Sequence, residues 1–177
     1  MLVRIGSRGS RLALTQAELA ASGLRGDGVE IALVPITTAG DRDRSSPFGQ
    51  IGERGLDALV LAACGLERLG LADEIGHRFE PDELLPEAAQ GALALQVRKG
   101  EEELVARVDH AETRRRVEAE RACVAAIGGG CLAPVAAHHD GSVLTALIAA
   151  EDGTWIERRS GADPAELAAE LLAAAPS

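Results

Sequence analysis

"LVRIGSRGSRLALTQAELAASGLRGDGVEIALVPITT", residues 2–38, is the stretch that decides the fold. Residues 2–6 read as a short strand. Ser10 then stands as an N-cap, "SRLALTQAELAASG" runs with helical character, and Gly23 reads as the stop. After a turn-rich gap, Val29, Ile31 and Leu33 alternate with their neighbours before Pro35, the signature of a second strand. Strand, helix and strand in that order predict a β-α-β unit and an α/β protein. If the strands are parallel, the connection between them is expected to be right-handed.

Working outward, "TTAGDRDRSSPFGQIGERG" at 37–55 is polar and aperiodic, the kind of long loop that compact domains keep for function. "LDALVLAACGL" at 56–66 is a continuous apolar run that reads as a strand buried on both faces. "ERLGLADEIG" reads as a short helix, and "ALALQVR" at 92–98 as another strand. Strands 2–6, 29–36, 57–63 and 92–97 are thus expected to form one small sheet. From Glu101 the character changes to two acidic helical segments, the second over 111–127. Candidate strands follow at 133–138, 142–149 and 154–160. A last helix is marked by Asp163 at the N-cap, Pro164 in the first turn and Glu166 three residues after the cap. This tail reads as a small α/β unit with a three-stranded antiparallel sheet, and a boundary is expected near residue 100.

The 177 residues suffice for one good core or two small ones, and 46% hydrophobic with 26% charged residues is the composition of a globular protein. A net charge of −10 argues against a nucleic-acid binder. Positive charge is local instead, at Arg4, Arg8 and Arg11 and again at Arg114, Arg115, Arg116 and Arg121, which suits a small anionic ligand. Met1 leads straight into strand-like sequence, so no secretory signal is expected, and "ALVLAACGL" is too short to cross a bilayer. Cysteines at 64, 123 and 131 have no metal-site spacing, so no metal is expected and free thiols in a reducing cytoplasm are the simplest reading.

Two places carry chemistry. In "IGGGCLAPV", residues 127–135, three glycines run into Cys131. Such a run lets the backbone approach a bulky ligand closely, and an exposed thiol reacts as its thiolate. The residues alone leave open whether Cys131 is packing, a metal ligand, a nucleophile or a covalent anchor. In "RIGSRGSRLALTQAE", Arg8 and Ser10 place a guanidinium beside a helix N-terminus, a cradle for carboxylate or phosphate. It is not a dinucleotide fingerprint, because the third glycine is missing from Gly6 and Gly9.

Taken in order, "RIGSRGSRLALTQA", "VPITTAGDRD", "QIGERG", "LVLAACGLERLGL", "LPEAAQGALALQVR" and "ETRRRVEAERACVAAIGGGCLAPVAAH" resemble the porphobilinogen deaminase (hydroxymethylbilane synthase) family of tetrapyrrole (haem, porphyrin) biosynthesis. The resemblance covers nearly all of the chain. It implies a cytoplasmic transferase that joins four porphobilinogens head to tail with release of ammonia. It also implies a dipyrromethane cofactor held by a thioether, by motif match on Cys131. Arg8, Ser10 and Gln16 match residues that contact cofactor or substrate carboxylates, and Gln90 matches the glutamine of the family's Gln-Gly pair. Asp41 falls at an acidic position. Arg54 stands where the family commonly has lysine, and Gln50 replaces another.

The family pattern breaks between Gly55 and Leu56, where a segment on the order of one hundred residues is missing. With it goes the His-Ser…Lys-Asp motif that carries the main catalytic aspartate, and neither pair occurs in the chain. Asp41 is the candidate that remains. The implied fold is a remnant of periplasmic-binding-protein-like mixed-sheet α/β domains, joined to the small C-terminal α/β domain. Residues 1–55 and 86–100 would be first-domain elements, 56–85 the end of the second domain, and 101–177 the cofactor-attachment domain. Family members are usually monomers, and exposed sheet edges here would favour self-association. The alternative is a non-catalytic remnant or deletion product that keeps the attachment domain as a binding or structural module.

Overall fold

The computed structural model describes residues 1–26, 28–36, 57–128 and 134–176. It is a mixed α/β structure that divides into two compact units, Met1–His77 with Leu93–Val108, and Arg78–Ala92 with Asp109–Ser177.

The first unit is built on β1 (Leu2–Arg8), α1 (Arg11–Leu24) and β2 (Glu30–Ile36). The strands pair in parallel, from Leu2 opposite Glu30 to Arg8 opposite Ile36, so the expected β-α-β unit is present. Ser10 caps α1 as its sequence position demands, its Oγ accepting from the Ala13 N–H at 3.3 Å. The helix buries Ala21 and Leu24 and continues one residue past Gly23, so that glycine is not the stop. Its reason is packing: a Cβ at Gly23 would lie 2.6 Å from Val108 Cγ1. The chain turns instead at Gly26 (φ 132°) and Gly28 (φ 78°), and Arg107 Nη1 donates to the Leu24 carbonyl at 3.2 Å. This separates two opposed effects. Alanine in place of glycine inside a helix ordinarily gains about 1 kcal/mol. Here the overlap with Val108 outweighs that gain, and Gly23→Ala should destabilise the unit by about 1–3 kcal/mol. Faster amide exchange along α1 is the check, and slower exchange would contradict the close packing.

Two expected strands are not strands. Residues 57–62 carry no regular structure, and α2 (Ala63–Arg68) begins inside the run read as the strand's end. Residues 92–98 are likewise irregular. Among the described residues the first sheet therefore has two strands, not four. The physical reason is that a strand exists through ladder partners, while a short apolar run alone does not tell strand from helix. Val60 at 73% exposure is far from the two-sided burial that the run suggested. α2 closes on α1 through a small residue, Gly65, whose Cβ position is 3.3 Å from Leu12 Cδ2. Short 3₁₀ turns follow at Ala72–Glu74, Glu102–Leu104 and Ala106–Val108.

The second unit has the expected three-stranded antiparallel sheet. Of the two expected acidic helices the second is present, while the first is a pair of 3₁₀ turns, Glu102–Leu104 and Ala106–Val108, in the first unit. α3 (Ala111–Ile127) precedes β3 (Val135–His139), β4 (Leu144–Ala149), β5 (Ile156–Gly161) and α4 (Pro164–Ala174). The strands form an antiparallel sheet in the order β3-β4-β5. Strand β4 is central and alternates strictly, with Leu144, Ala146 and Ile148 inward. These pack with Ala137, with Cys123 of α3, and with Leu167, Ala168 and Leu171 of α4. Each fully buried leucine contributes about 1.5–3 kcal/mol. Asp163 caps α4, its Oδ1 accepting from the Ala165 and Glu166 N–H groups at 2.9 Å each. The tight turn between β3 and β4 is closed by Asp140. Its Oδ1 takes the Ser142 and Val143 N–H groups, and these bonds hold its carboxyl down at about 2.

Candidate functional site

In the first unit, the sequence places Arg8 as the last residue of β1 and Ser10 as the cap of α1. Because β1 and β2 are parallel, their C-terminal ends share one end of the sheet with the α1 N-terminus. That is where α/β proteins put anionic ligands, since unpaired N–H groups and the helix dipole favour negative charge there. Arg8 is exposed. The oxygen of Ser10 is engaged with Ala13, which leaves its hydroxyl hydrogen to donate outward. Arg11 reaches across to the Leu69 carbonyl at 3.3 Å and so braces the start of the helix. Gln16 is half-buried further along α1. Arg8, Ser10 and Arg11 bring N–H and O–H donors to this end of the sheet, the kind of group that suits the carboxylates of a dipyrromethane. Asp41, Gln50 and Arg54 lie outside the described residues.

In the second unit, Gln90 sits in the turn over residues 87–92. Its backbone N–H donates to the Glu87 carbonyl at 3.0 Å, and its Oε1 accepts from the Glu87 N–H at 3.2 Å. What the exposed side chain can still offer a ligand is its NH₂, again a donor. Cys131 lies outside the described residues, but both flanks are set by the fold. Gly128 ends α3 in the left-handed region (φ 83°), and β3 starts at Val135. Ile127 and Val135 both pack against the second unit's core.

The other thiols behave differently. Cys123 is fully buried, and burial pushes its thiol up, away from the reactive thiolate. Cys64 is half-buried on α2, with Arg68 Nη1 at 4.0 Å from its sulfur. Among the described residues no cluster of His, Cys, Asp and Glu could hold a metal ion.

One group escaped the sequence reading. Glu120 is only 6% exposed, and its carboxylate accepts from the Ala89 N–H at 2.7 Å and the His139 N–H at 2.8 Å. The His138 Nδ1 is 3.7 Å away. The signal was its spacing: Glu120, Cys123 and Ile127 form one inward stripe of α3, where an acid is out of place.

The family model described as "Porphobilinogen deaminase, dipyromethane cofactor binding domain" matches residues 3–56 and 50–107. The chain belongs to the porphobilinogen deaminase family. The two matched segments overlap at residues 50–56, around the break in the family pattern at Gly55 and Leu56. The porphobilinogen deaminase of Mycobacterium tuberculosis is 37% identical over 173 residues, covering 89% of this chain and 55% of that protein. That of Roseiflexus castenholzii is 42% identical over 132 residues, covering 69% and 44%. The chain therefore spans about half the length of the curated porphobilinogen deaminases it matches, a partial version of the family. No helix among its described residues is long and apolar enough to cross a membrane.

Proposed function

We propose that the chain acts as a shortened porphobilinogen deaminase that carries dipyrromethane on Cys131. The observation that carries this reading is the pairing of Arg8 with Ser10 beside the α1 N-terminus, at the C-terminal end of a parallel strand pair, in a chain of this family. When bound, the dipyrromethane supplies the primer on which porphobilinogens are joined. The Cys131 thiolate provides the sulfur of the thioether. Arg8, Ser10, Gln16, Arg54 and Gln90 donate to carboxylates of cofactor and substrate, with Arg54 offering a bidentate fork where a lysine offers a point charge. Asp41 is the carboxylate left to take the proton released as each ring is joined. The free thiols Cys64 and Cys123 suit a reducing cytoplasm.

Incubated with porphobilinogen, the folded protein should release ammonia and give uroporphyrin-type products after oxidation. Folded protein that consumes no porphobilinogen above the buffer rate overturns the reading.

Self-association belongs to the same proposal. Parallel sheets are normally covered on both faces and continued at their edges. Here β1 and β2 are the whole of the first sheet among the described residues, and Leu2, Val34 and Ile36 remain 39–49% exposed. Light scattering should find species heavier than the 18.3 kDa chain, and Val34→Lys should shift them toward the monomer. A single 18.3 kDa species at all concentrations would count against association.

A further inference from the structure

We propose that Glu120 is a positioning residue that holds Gln90 in place by clamping a strained backbone; this rests on Gln90 being a cofactor-side donor. The strain is at Ala89, with φ of 64°, the one non-glycine residue at positive φ among those described. An L-residue in that region persists only where its surroundings over-determine it, and such residues concentrate at ligand clamps. The surroundings here are specific. Ala88 packs against the second unit's core, Gln90 folds back on Glu87, and Gly91 follows at φ 87°.

Glu120 supplies the remaining hold. Burying a carboxylate is unfavourable unless hydrogen bonds replace the lost water, and an apolar residue would fill the α3 stripe without that difficulty. Each oxygen takes one backbone N–H: Oε2 from Ala89 in the turn, and Oε1 from His139 at the end of β3. One side chain thus pins the Gln90 turn to the helix and strand that flank residues 129–133. Such charge-assisted bonds to backbone N–H groups are the strong ones. The pin fixes Ala89 directly and Gln90 through it.

The test is a rescue. Glu120→Ala removes both acceptors and should speed amide exchange at Gln90 and His139 by about tenfold or more. Intact mass with Ehrlich's reagent should show a smaller dipyrromethane-loaded fraction. Glycine adopts the φ of residue 89 without strain. Ala89→Gly in the Glu120→Ala background should therefore restore slow exchange at Gln90 and the loaded fraction, while His139 stays fast. If Glu120→Ala does not fold, Glu120→Leu, which fills the same place in the α3 stripe but carries no acceptor, is read in the same way. Unchanged exchange at Gln90 without the carboxylate, or no rescue by Ala89→Gly, overturns the proposal. Wild-type protein with no cofactor mass overturns the role given to Gln90, and the exchange data then still decide whether Glu120 holds the turn.

Discussion

Leu144→Ala will destabilise the second unit by about 2–5 kcal/mol, a large part of the stability of a small domain. Leu144 has no solvent exposure and sits on the central strand, opposite His139 on one side and Gly161 on the other. Its side chain belongs to the cluster that also holds Leu167 and Leu171 of α4. Removing its methyl groups forfeits the transfer energy and leaves a cavity, because backbone on both sides is fixed by ladders and cannot collapse fully. Trp155, the sole tryptophan of the chain, packs against this same cluster, so its fluorescence reports this unit alone. In a urea titration the midpoint should fall sharply for Leu144→Ala. Leu172→Ala, on the outer side of α4 at 48% exposure, should move it by less than about 0.5 kcal/mol. Equal shifts for the two variants would contradict the core assignment.

Elements with complete local signals were legible from sequence. Asp163, Pro164 and Glu166 marked the start of α4 by cap chemistry, and Ser10 did the same for α1. Both signals act within one turn of the residue that carries them. The alternation of β4 was legible for a similar reason, since one buried face fixes the period. Residues 57–68 were not, because an apolar run becomes strand or helix according to what lies beside it. With two strands in the first sheet, the run had no described ladder to join, and Ala63–Arg68 satisfied its own backbone as a helix. Gly23 was misread for a different reason: its cause is Val108, 85 positions away in sequence, and no local rule contains that contact.

The candidate site divides along the same line. The places of Arg8 at the end of β1 and Ser10 at the cap of α1 were legible because a β-α turn sets them by local geometry alone. Glu120 and Ala89 were missed because the first looks like one more acid on a charged helix and the second like an ordinary alanine. Only the fold brings the buried carboxylate to the strained N–H, 31 residues apart.

Serine in place of Cys131 will leave the chain without any dipyrromethane-sized mass excess, whereas serine at Cys64 or Cys123 will not. A thioether needs a thiolate, and a serine hydroxyl near neutral pH is a far weaker nucleophile with no adjacent base assigned to it. Cys123 cannot take over, because it is fully buried in the second core and burial keeps its thiol protonated. Its role is packing, and the two roles separate in a second measurement. Cys123→Ser buries a hydroxyl among apolar side chains and should lower stability by about 1–3 kcal/mol in the Trp155 urea titration. Cys131→Ser should leave that titration nearly unchanged. Mass lost without stability at one position, and stability lost without mass at the other, identifies the anchor and the core thiol independently. An excess that survives in Cys131→Ser, or that vanishes in Cys64→Ser, would place the attachment elsewhere and remove the basis for reading this chain as a cofactor carrier.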